Sequence, residues 1–234
     1  MRRKFIAGNW KMFNGPAATS EYFNKFGAEI AAAPEVQSAV AEKTEEIALF
    51  VPAISLPAAV AGASALPVII GGENVHWEKS GAFTGEISVP MLTEVGVTHV
   101  LIGHSERRHI FRETDAELNK KLHAALEGGL IPVLCVGETL EEREAGKAHD
   151  IIKQQFDEGL KGIAAATAAK KLIIAYEPVW AIGTGKTASK EDAEEICGFI
   201  RGLAADSFGD KAAEELIILY GGSVKPENTA AIMS

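Results

Sequence analysis

Glu177 closes the apolar run KLIIAYEP and is followed at once by Pro178. A carboxylate placed where a buried strand meets a loop, its backbone stiffened by proline, is a candidate general base. Burial would strengthen it in that role. The alternative is a Glu that caps a helix or pairs with a cation at a loop edge. His104 occupies a similar place, after VLIG and before SERRH. A helix starting at Ser105 would disfavour an imidazolium there, leaving a neutral ring able to donate a hydrogen bond. The alternative is a structural His bonded to backbone. His104 and His109 lack the i,i+4 spacing of a helical metal site and have no second cluster beside them, so no metal is expected. Asn9 and Lys11 flank Trp10 in AGNWKMF. On an extended strand, positions i and i+2 share a face, so amide and ammonium would together make an anion or oxyanion site. Lys11 could also form a Schiff base or lie exposed at a strand edge; a substrate-holding cation is the simpler role.

Two glycine runs suggest phosphate. WAIGTGKTAS, residues 180–189, contains Gly-Lys-Thr, but a nucleotide-binding P-loop needs Gly five positions before Gly185, where Trp180 stands. Pro178 also removes a donor from the approach to that loop. The run reads instead as a lid, whose glycines allow movement and offer N–H groups, with Pro178, Val179 and Trp180 as a stiff hinge. YGGS, residues 220–223, ends another apolar run; its glycines would let a ligand approach the backbone. Pro226 then opens a helix whose free N–H groups favour phosphate.

These residues need a frame that brings strand ends together. Seven short apolar runs recur: KFIAGNW, EIALFVP, PVIIGGEN, HVLIGHS, LIPVLCVGE, KLIIAYEP and LIILYGGS. Most are continuously apolar, as in parallel strands buried on both faces. Helical segments with charged faces lie between them, at residues 115–127, 150–163 and 190–203. Strand alternating with helix predicts a parallel α/β fold. Each run ends in a polar or glycine cluster, which is the pattern of a (β/α)8 barrel with its site at the C-terminal ends of the strands. A doubly wound sheet would carry GxGxxG after its first strand, and AGNWKMF does not. The expectation is a single barrel domain over residues 1–234, with an eighth βα unit missing from this chain.

Composition bounds the partners. The 234 residues carry 23 basic and 32 acidic side chains, net −9, which argues against nucleic acid. Two cysteines, Cys135 and Cys197, form no CxxC pair. No signal peptide or membrane-length apolar span is read, so a cytoplasmic setting is expected.

AGNWKMF, GGENVHWEKSGAFTGEIS, VLIGHSERR, LCVGET, AYEPVWAIGTGKTAS and LYGGSVKPEN, in this order, resemble the triosephosphate isomerase family, of bacterial type, from Lys4 to the last residue. The resemblance implies interconversion of dihydroxyacetone phosphate and glyceraldehyde 3-phosphate, in glycolysis and gluconeogenesis, without metal or organic cofactor. It implies that Glu177 shuttles the proton and that His104 polarises the carbonyl. Lys11 and Asn9 would be electrostatic partners, with Ser105 and Glu106 as a supporting polar shell. Gly183, Gly222 and Ser223 would contact phosphate. The segment of residues 74–86 would dock a second subunit to form a homodimer, with Thr84, Phe83 and Glu86 at the interface. GGEN, residues 71–74, departs from the family's Gly-Ala-Gln-Asn. The family also continues into an eighth strand with a further Gly-Gly pair and a last helix, so the chain is expected to be short by that unit. Another phosphosugar enzyme on the same barrel and a non-catalytic or inactive barrel are the competing readings.

Overall fold

The computed structural model describes residues 3–42, 44–182, 188–224 and 226–232. Strands form at all seven apolar runs: β1 (Lys4–Asn9), β2 (Glu45–Val51), β3 (Val68–Gly72), β4 (His99–Ile102), β5 (Ile131–Val136), β6 (Ile173–Tyr176) and β7 (Ile217–Tyr220). The chain divides into two compact units, Met1–Ile102 with His123–Pro132, and Gly103–Leu122 with Val133–Ser234.

In the first unit β1 to β4 pair in chain order, all parallel. Helices α1 (Pro16–Ala31), α2 (Pro34–Ala41), α3 (Leu56–Ala63) and α4 (Val89–Val95) connect them. All four open with proline at the first or second position, where the missing N–H would have had no helical partner. Continuous apolar sequence gives continuous burial in β4 and in the last four residues of β2. β1 departs from this: Ile6 is 49% exposed.

In the second unit β5 (from Val133 on), β6 and β7 pair in chain order, also parallel, with Val136 beside Tyr176 and Tyr176 beside Tyr220. Its helices are α5 (Ser105–His109), α6 (Asp115–Glu127, which ends in the first unit), α7 (Leu140–Glu144), α8 (Ala148–Gly159), α9 (Ala165–Lys171), α10 (Lys190–Phe208), α11 (Asp210–Glu215) and α12 (Pro226–Ile232). β5 and β6 are buried almost throughout, whereas all four residues of β7 are only half-buried. β1 and β7 each have one strand neighbour among the described residues, and a strand with one uncovered side keeps partial exposure.

α6 has the expected limits, and Leu118 and Leu122 on it are fully buried. α8 starts two residues before the expected 150 and ends at Gly159 rather than 163. Gly162, at φ 82°, has left the helical region by then. α10 runs on to Phe208, five residues past the expected end, because its apolar stripe of Ile196, Ile200, Leu203 and Ala204 continues until Gly209 breaks it. Among the described residues no helix is long and apolar enough to cross a membrane.

Candidate active site

The register of the second unit sets Val136, Tyr176 and Tyr220 side by side. One residue further on, the same row reads Gly137, Glu177, Gly221. The ladder carries on into it: Glu177 N–H donates to Val136 O at 2.7 Å and Gly221 N–H donates to Tyr176 O at 2.6 Å. Glycine stands on both sides of Glu177 for a steric reason. A Cβ on Gly137 would overlap the Glu177 carbonyl oxygen, and one on Gly221 would lie 3.2 Å from Glu177 Cγ. Glu177 between them is 5% exposed.

Both carboxylate oxygens of Glu177 are engaged. Oε2 accepts the Ser105 backbone N–H at 2.7 Å, and Oε1 lies 3.2 Å from His104 Nε2. His104 caps α5: its Nδ1 accepts the Glu106 backbone N–H at 3.2 Å. A ring nitrogen that accepts carries no proton, so the ring hydrogen sits on Nε2 and points at Glu177. The support from Ser105 and Glu106 is thus given by their N–H groups. The Glu106 side chain is partly exposed, with Oε2 3.6 Å from His104 Nδ1. Arg108 secures the same turn, donating from Nε to Gly103 O at 2.9 Å and from Nη2 to Cys135 O at 3.0 Å. Burial, and after it the Glu177 carboxylate to which it is hydrogen-bonded, push the Cys135 thiol well up. It remains protonated beside the Glu177 carboxylate.

Glu138, fully buried, anchors the residues after Glu177. Its Oε1 accepts Tyr176 Oη at 3.0 Å, Trp180 Nε1 at 2.8 Å and Arg143 Nη1 at 3.1 Å. Val179 N–H donates to Glu138 O at 3.1 Å. The short 3-10 turn Val179–Ala181 is thereby pinned. Gly183 and half of the expected lid, residues 183–187, lie outside the described residues.

In the first unit Asn9 ends β1 and Lys11 lies beyond it. The expected shared face of an extended strand is replaced by a turn: Lys11 has φ 54°, in the left-handed region, and its N–H donates to Asn9 Oδ1 at 2.9 Å. A non-glycine residue held there is sterically costly and marks a site where the surroundings impose the backbone. The segment after β3 is tied at its base by His76 N–H to Ile87 O at 2.7 Å, and the His76 ring packs between Trp77 and Phe83, at 4.1 and 4.3 Å. Residues 78–86, including Phe83, Thr84 and Glu86, are exposed.

At the end of β7 glycine also has a packing reason. A Cβ on Gly222 would overlap the Tyr220 hydroxyl. Ser223 is half-buried, and its carbonyl accepts Asn228 Nδ2 at 3.0 Å. Gln155, whose carboxamide bonds Gly137, and Cys135 are absent from the residues singled out by sequence. Gln155 did leave a trace there, as a polar residue in the stripe Ile152, Gln155, Phe156, Gly159. Among the described residues no group of His, Cys, Asp and Glu could hold a metal.

The family model described as triosephosphate isomerase matches residues 4–234. A triosephosphate isomerase of Alkaliphilus metalliredigens is 47% identical over 234 residues, covering 100% of this chain and 90% of that one. One of Solibacter usitatus is 47% identical over 235 residues, with the same coverage. The crystal structure of triosephosphate isomerase from Bartonella henselae superposes with a TM-score of 0.81 at 39% identity, covering 99% of this chain and 88% of that chain.

Proposed function

Because the chain belongs to the triosephosphate isomerase family, and so interconverts dihydroxyacetone phosphate and glyceraldehyde 3-phosphate on a (β/α)8-barrel fold, we propose that Glu177 is the base of that reaction. Family membership sets aside the other phosphosugar chemistries and the non-catalytic barrel. One observation carries the residue assignment: a buried carboxylate held between His104 Nε2 and the Ser105 N–H at a strand end. A substrate carbonyl taking the Nε2 hydrogen would leave the Oε1 lone pair facing the neighbouring carbon. Glu177 removes that carbon's proton, the C–H electron pair moves into the new carbon–carbon double bond, and the carbonyl oxygen gains charge as an enediolate. His104 stabilises that oxygen by hydrogen bonding. Transfer of the hydroxyl hydrogen on the deprotonated carbon to the former carbonyl oxygen makes a carbonyl at the first carbon, and returning the abstracted proton to the former carbonyl carbon completes the exchange of aldehyde and ketone.

Asn9 and Lys11 supply the amide and cation for the anionic substrate; the imposed turn at Lys11 supports this role. Gly222 and Ser223, with Gly183 on sequence grounds alone, are the proposed phosphate contacts, and a lid over residues 180–189 keeps water from the enediolate. The chain acts as one catalytic domain in a homodimer formed through residues 74–86, in a cytoplasmic setting. Two free thiols support a reducing compartment.

The test is Glu177→Gln. An amide of the same shape cannot accept the proton, so kcat falls by several orders of magnitude while affinity for a phosphate ligand stays near that of the parent. Parental turnover in this variant sinks the assignment.

A further inference from the structure

Gln155 occupies a position on α8 that packing alone would give to an apolar residue. It lies in the buried stripe with Ile152, Phe156 and Gly159, and is itself buried. Its carboxamide makes two hydrogen bonds, both to one residue. Oε1 accepts the Gly137 N–H at 2.8 Å, and Nε2 donates to the Gly137 carbonyl at 3.1 Å. The last register pair of β5 with β6 is Val136 with Tyr176. Gly137 lies just beyond it, where the side chain of α8 completes the backbone's hydrogen bonding.

Gly137 also touches Glu177. It packs against the Glu177 backbone with no room for a Cβ, and the ladder bond from Glu177 N–H to Val136 O ends at the same peptide. On the other side Gly221 leaves Glu177 Cγ little space. The backbone of Glu177 can therefore stay in place only if Gly137 does. We infer that Gln155 is a positioning residue for the proton-transferring carboxylate: by clamping both polar groups of Gly137 it holds Glu177 where its oxygens meet His104 and Ser105. The inference rests on Glu177 being the base.

Replacing Gln155 by Leu keeps the bulk and removes both bonds, so Gly137 must shift to find other partners. A displacement well under an ångström at a reacting group is costly, and Gln155→Leu should lower kcat roughly 10- to 100-fold with KM within about twofold of the parent. Gln155→Glu keeps the acceptor for the Gly137 N–H and loses the donor, so it should fall between the two. The deciding measurement is the same substitution in a Glu177→Asp background, where the carboxylate is already set back by one methylene. If Gln155 acts through Glu177, Gln155→Leu costs less than about threefold in that background. A residue that only stabilises the fold would lower the melting temperature and leave kcat per folded molecule unchanged. Unchanged kcat, or an equal loss in both backgrounds, overturns the inference. If Gln155→Leu does not fold, Gln155→Glu is carried through the same pair of backgrounds with the same criteria. Glu177→Gln separates the premises: an active Glu177→Gln removes the base assignment, whereas an inactive one beside an unaffected Gln155→Leu removes only the positioning role.

Discussion

At the scale of single residues, burial decides protonation at His99 as it does at Cys135. His99 starts β4, is 6% exposed, packs on the Phe5 ring and has Nδ1 2.9 Å from Thr98 Oγ1. Loss of hydration, with a smaller contribution from the positive Arg3, lowers its pKa from 6.5 to about 4. The sign comes from proton counting. Between pH 6.5 and about 4 the unfolded chain holds a proton on this ring that the folded chain does not, so stability falls as pH falls through that window. The loss from this one group approaches roughly 3 kcal/mol at its lower end and then levels off. Urea midpoints measured from pH 7 to pH 4 should therefore drop less in His99→Gln than in the parent. Parallel curves for the two proteins would show that His99 is not the responsible group.

At the scale of elements, helix ends carry the local specification. Ser189 and Asp192 form a capping box at the start of α10: Ser189 Oγ accepts Asp192 N–H at 3.0 Å and Asp192 Oδ2 accepts Ser189 N–H at 3.0 Å. The Asp192 carboxylate also pairs with Arg143; burial acts to raise its pKa, but the hydrogen bonds from Ser189 and the Arg143 charge together outweigh it and hold the pKa below the usual carboxylate value. Ser189→Ala removes one partner of the box and should cost about 1 kcal/mol. For a protein of this length that is a fall of roughly 2–4 °C in melting temperature. An unchanged melting curve would mean that the fixed Asp192–Arg143 pair holds the helix start unaided. The short α5 shows the same economy: His104 is at once the cap of that helix and the donor facing Glu177.

At the scale of the whole molecule, the exposed segment of the first unit bears on assembly. Residues 78–86 are exposed around a base fixed by His76 and Ile87, and Phe83 is 42% exposed. The same unit leaves Met12 94% and Phe13 70% exposed. In the proposed homodimer these apolar side chains would lie on the surface that the second chain covers. Thr84→Arg places a long cation within that segment, so sedimentation should show more monomer than the parent at equal concentration. A variant as dimeric as its parent would place the interface elsewhere.

Much of this architecture was legible in one chain. Continuous apolar runs have one stable use in an alternating α/β sequence, which is as buried parallel strands, and all seven formed where they were read. The carboxylate before Pro178 and the imidazole before SERR could be singled out because a polar side chain at the end of a buried strand is rare without a task. What sequence could not show depends on contacts distant along the chain. Ser105 and Glu106 meet Glu177 and His104 through their N–H groups, and backbone donors look the same at every residue. Lys11 takes a left-handed turn that its neighbours impose, which no pleat rule anticipates. The reason for glycine at 137 is the Glu177 carbonyl forty residues away, and for Gln155 it is the Gly137 peptide, eighteen residues back. Sequence determined which side chains could do the chemistry, because residue type and local spacing set that. Tertiary structure decided how they are held, because the holding groups are backbone atoms and small residues that acquire a role only when packing brings them together.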